Sequence, residues 1–295
     1  MPHPTNPNGP DDRLIAAILA GDAAAAGAAL IAGAQPRAVR HYEMCWDREW
    51  QQGEEPVLLC AARQGHAALV ELLLQHDADP DAHDSLSGRT PLIAASARGD
   101  VRSVLALLKA KAALDAVDGR SGDTAFAAAI DGGHAEIAAL LAAAGATATA
   151  RALEQACHRG RIDLAEVCVR HGASLTQSGG LVVAARAGHL AMVRWLLAQC
   201  AELAQHGPEA LCEAANAARA DVVAFLLEHG VPSDCCTSYG WPPLHLAAWN
   251  GDGPTLLALL RAGADPRAVD REGLCALDHA RAAGKAANVA LLERA

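Results

Sequence analysis

"GRTPLIAASARGDVRSVLALLKAKAALDA", residues 88–116, decides the fold. Its opening, "PLIAASARG" at 91–99, reads as a short alanine-rich helix ended by glycine, the residue that takes a left-handed backbone at a helix C-terminus at no steric cost. Its continuation reads as a second helix. There the apolar residues recur at i, i+3 and i+4, a pattern repeated by "LVELLLQH" (69–76) and "IAALLAAAG" (137–145). One such helix pair cannot bury its apolar face alone, so the stretch implies neighbours of the same kind.

Those neighbours are present. A leucine or phenylalanine followed seven residues later by glycine occurs at Leu14–Gly21, Leu58–Gly65, Leu92–Gly99, Phe126–Gly133, Leu153–Gly160, Leu181–Gly188, Leu244–Gly251 and Leu277–Gly284. Leu211–Ala218 completes a set of nine units, whose leading residues lie 27 to 44 positions apart. Glycine recurs twelve residues past these anchors at Gly33, Gly145, Gly172, Gly230 and Gly263, marking the end of the second helix. Turn-rich text such as "ADPDAHDSLSGRT" and "ADPRAVDREG" follows.

Composition agrees. The chain has 295 residues, 52% of them apolar with alanine supplying much of that, and only 3% aromatic. Such a chain suits thin layers of close-packed helices rather than a deep core of bulky groups. A formal net charge of -10 argues against general nucleic-acid binding, which needs a basic footprint. The nine cysteines are scattered and form no C-x-x-C pair, which reads as reduced thiols in a cytosolic-type compartment. The opening "MPHPTNPNGPDD" lacks the basic-then-apolar pattern of a signal peptide and reads as a flexible tail over 1–10. The longest apolar run, 137–144, is too short to span a membrane.

Three stretches carry a family resemblance: the one quoted above, "GWPPLHLAAWNGDGPTLLALLRAGADPRA" from Gly240, and "PVLLCAARQGHAALVELLLQHDADPDA" from Pro56. Together they resemble the ankyrin repeat, and the likeness covers about residues 11–295. It implies one all-α solenoid of stacked helix pairs with short hairpin or loop fingers. The first unit lacks the threonine-proline start and reads as a cap. The last stops short of its second glycine and reads as the opposite cap. Units five to seven are compressed, leaving room only for tight turns. Ala218 in place of glycine predicts a strained turn. Between the first two units lies an extra finger at 38–55.

The resemblance also implies a binding surface. In ankyrin repeats the last residues of the first helix and the preceding finger face a concave groove. Here that places Arg63, Arg98, His158, Arg159, Arg186, Asn216, Trp249 and Asn250 on the groove, with Tyr239 and Trp241 in the eighth finger. Arginines in a line suit an acidic partner segment, because guanidinium grips carboxylates in a planar fork. Exposed tryptophan and tyrosine are typical anchors; the alternative is that Trp249 merely covers a neighbouring finger. The 38–55 insertion holds Tyr42, Trp46 and Trp50. As one strand or as a helix it would place these rings on one side, either to pack on the first units or to close the groove as a second binding lobe.

Most of the thirteen histidines belong to the repeat. His66, His134 and His189 follow an anchor glycine. His76, His171 and His229 end second helices, and His245 takes the "PLH" position, where the family's ring bonds backbone between repeats. His41, Cys45 and Asp47 match no closed zinc pattern, and Cys235-Cys236 reads as loop. No nucleotide-binding glycine loop, nucleophile elbow or H-E-x-x-H motif is present. The expectation is a non-catalytic, monomeric, protein-binding chain without cofactor or metal, with no nucleic-acid or membrane partner. It would serve as a cytoplasmic regulator, a toxin-neutralising partner or a secreted effector. The alanine-rich composition points to a GC-rich bacterial genome. The alternative is a small-ligand receptor or enzyme with a pocket near His158 and Arg159.

Overall fold

The computed structural model describes residues 9–46, 49–175, 179–199, 203–237 and 240–295, without the side chains of Cys45, Trp46 and Glu49. Its contacts group into two compact units, Met1–Ala148 and Thr149–Ala295. The first contains α1 (Pro10–Ala20), α2 (Ala23–Ile31), β1 (Val39–Trp46), β2 (Glu49–Pro56), α3 (Val57–Gln64), α4 (Ala67–Gln75), α5 (Pro91–Arg98), α6 (Val101–Lys109), α7 (Ala125–Gly132) and α8 (Ala135–Ala143). The second contains α9 (Ala150–His158), α10 (Ile162–Arg170), α11 (Gly180–Ala187), α12 (Leu190–Ala198), α13 (Leu203–Asn216), α14 (Ala220–Glu228), α15 (Pro243–Trp249), α16 (Gly253–Arg261), α17 (Ala276–Ala282) and α18 (Ala286–Leu292). The architecture is all-α apart from the β1–β2 hairpin. No described helix is long and apolar enough to cross a membrane.

Each unit is built in two layers. In the first, α1, α3, α5 and α7 pack in succession, with α2, α4, α6 and α8 behind them. In the second, α9 to α17 alternate with α10 to α18 in the same way. Front helices inside each unit, such as α3 and α5, touch a neighbour on each side and their own partner behind, so they are buried nearly all round. In α7, Ala125, Phe126, Ala127, Ala128, Ala129 and Ile130 are all buried. Alanine suits this position because a small side chain lets the helix axes approach. The rear helices bury one stripe only, as α6 does with Ser103, Val104 and Leu107.

Helix ends follow the sequence closely. Thr90, Thr124 and Thr149 cap α5, α7 and α9 by accepting a backbone N–H through their hydroxyls. The anchor glycines Gly21, Gly65, Gly99, Gly133, Gly160, Gly188 and Gly284 are left-handed. At the end of the second helix the left-handed position is filled by Gly33, Gly145, Gly172, Gly230 and Gly263, and also by Asp77 (φ 63) and Lys111 (φ 62). The next amide returns to a carbonyl five residues back, as in Ala78 to Leu73 (3.0 Å) and Ala112 to Leu107 (3.0 Å), closing a Schellman turn. Gly251 departs from the pattern. It is not left-handed; an added Cβ there would lie 2.5 Å from the Ala247 carbonyl oxygen.

The 38–55 insertion is a two-stranded antiparallel hairpin in which Tyr42 pairs with Gly53, Met44 with Gln51 and Cys45 with Trp50. This corrects the expectation of one shared ring face. The chain reverses between β1 and β2, and partners across an antiparallel pair point to the same side. Trp50, three residues from Gly53, therefore lies on the face opposite that of Tyr42, and is 73% exposed. The other face packs on the first unit. Arg40 and Arg63 both pair with buried Glu55, each at 2.7 Å. Tyr42 donates to Asp84, and burial together with that carboxylate pushes its phenol up to about 12. Glu54 and Ser85 exchange hydrogen bonds.

Ala218 sits at φ 56, the one anchor where a Cβ occupies the left-handed turn. Ala218→Gly should stabilise the chain by about 0.5–1 kcal/mol, the left-handed penalty less the extra entropy of glycine in the unfolded chain. Thermal or denaturant unfolding checks this, and a destabilised variant would contradict it.

Candidate functional site

The ends of the front helices form the candidate surface, and the structure separates two kinds of residue along it. The first kind ties layers together. His189 Nε2 reaches the His158 carbonyl at 2.9 Å, Arg219 Nε donates to the Arg186 carbonyl at 3.1 Å, and Arg98 Nη1 donates to the Arg63 carbonyl at 3.4 Å. In each case the acceptor lies two residues before an anchor glycine, and the donor lies across that glycine. A Cβ at Gly160 would meet the His189 ring at 2.7 Å, at Gly188 the Arg219 Cδ at 2.7 Å, and at Gly99 the His134 ring at 2.5 Å. The glycines are therefore required twice, for backbone conformation and for space.

This changes the meaning of two predicted groove cations. Arg98 is exposed but serves as such a tie, standing in for the unit whose post-anchor residue, Asp100, caps α6 instead. Arg63 shares buried Glu55 with Arg40, so it is no isolated cation. In the second unit, His158, Arg159 and Arg186 are all exposed. Arg186 enters no ion pair among the described residues, and only its carbonyl is taken, by Arg219. Arg219 was not singled out from sequence. Its signal was its position, the one held by His66, His134 and His189 in other units.

The second kind of residue surrounds the eighth unit. Pro243 starts α15, and just before it the Trp241 amide donates to Thr237 Oγ1 at 3.1 Å. Trp241 and Trp249 meet edge to face with ring centroids 6.4 Å apart, and both lie on His279, at 4.6 and 6.1 Å. Trp249 remains 38% exposed. Asn250 donates to Asn216 at 2.6 Å, linking two predicted site residues. Tyr239 lies outside the described residues. A cleft of about 540 Å³ beside the rings is lined by Glu213, Asn216, Thr237, Trp241, Leu246 and Glu272.

Three residues passed over in the sequence hold this patch. His279 is buried and its Nε2 lies 2.7 Å from Asp270 Oδ2. Asp270 also accepts from the Leu274 and Glu272 amides. Burial raises its carboxyl, but the His279 bond and these amides outweigh that and hold it below the ordinary value of 3.8. Asn288, buried on α18, donates to the Ala248 carbonyl at 3.2 Å and caps the end of α15, which carries Trp249.

His245 behaves as expected, its Nε2 lying 3.1 Å from the Leu274 carbonyl of the following unit. Burial pushes it down, keeping the ring neutral. Among the described residues its buried Nδ1 has no hydrogen-bond partner. Asp278, at the same position in the ninth unit, accepts the Cys275 amide. The corresponding residue before α15 is Pro242, which has no N–H to give. His245, Asp270 and His279 bring imidazole and carboxylate donors within 4.8 Å of one another, a donor set a metal could use. Here the His279 and His245 Nε2 atoms are committed to Asp270 and Leu274, and the trio supports the tryptophans. Of the weak His41, Cys45 and Asp47 set, His41 faces Glu54 at 3.7 Å and the other two side chains lie outside the described residues.

Because its folded carboxyl is depressed, Asp270 contributes stability that is complete above pH 3.8 and lost as the pH falls through the lower folded value. Asp270→Asn should lower the melting temperature at pH 7 and flatten its decline below pH 4. Equal acid dependence in variant and wild type would contradict the assignment.

A family model described as "Ankyrin repeats (3 copies)" matches residues 14–118, 57–152 and 181–270. Among solved structures, the human ASB11 ankyrin repeat domain is similar in fold. Its TM-score is 0.50 at 23% identity, covering 80% of this chain and 96% of that one. Comparison with curated proteins gives no match. Repeated helix pairs, left-handed glycines between them and a family match over more than half of the sequence lead to one conclusion: the chain belongs to the ankyrin-repeat family.

Proposed function

We propose that the chain is a non-catalytic recognition module that binds a protein partner along the front-helix ends of its second compact unit. Ankyrin repeats are generally protein–protein interaction modules, and the family is typically non-enzymatic. The observation that carries the reading is Trp249. It is a large ring left 38% exposed on top of Trp241 and a buried His279–Asp270 pair. A ring held in this way contributes contact area on binding with little further loss of conformational freedom, which is how aromatic hot spots act.

Charge supports a segmented partner. His158, Arg159 and Arg186 suit an acidic stretch, while Glu213 and Glu272 beside Trp241 suit a neutral or basic end. Asn216 and Asn250 lie between, each with amide groups able to bond an extended peptide. Arg63 and Arg98 serve the first unit's own architecture. Tyr42 packs inward and Trp50 outward, so of the described hairpin rings Trp50 is the one offered to a partner. The module acts as a monomer in the cytoplasm, as a regulator or toxin-neutralising protein, or as an effector.

Affinity capture with the full chain tests this. Trp249→Ala with Arg186→Glu should reduce recovery of the captured partner at least about thirtyfold, the loss of a hot-spot side chain, with helicity unchanged by circular dichroism. Equal capture by wild type and variant would overturn the proposal.

A further inference from the structure

The thiols of Cys212 and Cys235 stand 3.9 Å apart, although 23 residues separate them in sequence. Cys212 is on α13 and buried; Cys235 is in the loop between α14 and α15 and half exposed. The Cys235 thiol also contacts the Pro208 carbonyl at 3.5 Å, inside α13, so two contacts hold it against that helix. The adjacent Cys236, which sequence alone offers as its partner, is exposed and turned to its own loop, 3.7 Å from the Asp234 carbonyl. The geometry therefore pairs Cys235 with a cysteine of the preceding repeat rather than with its neighbour in the chain.

We propose that Cys235 and Cys212 form an oxidisable dithiol, in which Cys235 attacks a hydroperoxide and Cys212 then closes a disulfide across the seam between the seventh and eighth repeats. The chemistry balances in two steps. The Cys235 thiolate attacks one peroxide oxygen, the O–O bond breaks, hydroxide leaves, and Cys235 becomes a sulfenic acid. The Cys212 thiol then attacks the Cys235 sulfur, the S–O bond breaks, and water leaves with the Cys212 proton. The protein loses two electrons and two protons, and the peroxide is reduced to water.

The order of attack follows from the environment. Cys235 is reachable from solvent, and the hydrogen bond from the Cys212 thiol lowers it toward the reactive thiolate. That same contact and burial raise Cys212, which stays a thiol until the sulfenic acid forms beside it. The other described cysteines lack this combination. Burial pushes Cys157 and Cys168 up to about 12, leaving them protonated and shielded. Closing the bond needs the sulfurs to approach by about 2 Å to the usual S–S length, a side-chain rotation for a residue in a loop. The product ties α13 to the finger that leads into α15, across the repeat that contains left-handed Ala218.

The test treats the full chain with hydrogen peroxide, alkylates remaining thiols and maps peptides without reduction, locating the bond by fragmentation. The expected result is a Cys212–Cys235 crosslink that dithiothreitol reverses. It persists in Cys236→Ser, is absent in Cys235→Ser, and raises the melting temperature by about 4 °C or more. In Cys212→Ser, dimedone should trap the sulfenic acid at Cys235. Should that variant fail to fold, the wild-type map and the half-exposed Cys235→Ser variant decide the matter. A Cys235–Cys236 bond, oxidation confined to Cys236, or no crosslink while Cys236 is oxidised would overturn the proposal.

Discussion

A side chain reaching from one repeat, over a glycine, to the last free carbonyls of the preceding front helix is the contact on which the stack depends. A helix end leaves its final carbonyls without partners, and water cannot serve them where repeats press together. His189 and Arg219 supply the missing donors in the second unit and Arg98 in the first. The anchor glycine makes this possible because it lacks the atom that would occupy the donor's path. The same residue takes the left-handed turn that sends the chain into the second helix. One position thus serves geometry within a repeat and bonding between repeats, and the two needs cannot be separated by substitution.

What recognition can use is what this scheme leaves over. Front-helix ends that donate to a neighbour are committed to the fold, as Arg98 is. Those whose side chains remain outward, such as Arg186 and Trp249, are available. The eighth repeat spends extra structure on keeping its ring outward: Asn288 caps the helix that carries it, His279 lies beneath the rings, and Asp270 fixes His279. Among the described residues the Nδ1 of His245 has no hydrogen-bond partner, and Pro242, at the corresponding position before α15, has no amide to offer.

The fold was legible because its signals are local. Leucine and glycine at fixed separation, with apolar residues at helical spacing, describe helix and turn without reference to a partner. Legibility failed where a role depends on a neighbour distant in sequence. Arg98 and Arg186 look alike in the chain, and only the Asp100 cap in one repeat and Arg219 in the next distinguish a tie from a free cation. Asp77 and Lys111 take left-handed turns that no glycine announced, since the closing Schellman bond is worth more than the local preference. The hairpin rings were misplaced because period-two alternation holds only until the chain reverses. His279 fell between motifs, and its value lies in Asp270 and two tryptophans brought to it by folding.

A double-mutant cycle on Gly160→Ala and His189→Ala, read by equilibrium unfolding, addresses the central contact. Each change alone should destabilise. Because the added Cβ collides with the His189 ring, removing that ring should recover part of the glycine penalty, giving a coupling of at least about 0.5 kcal/mol. Effects that add within about 0.3 kcal/mol would show that the glycine serves its own turn alone, and that the stack does not rest on this contact.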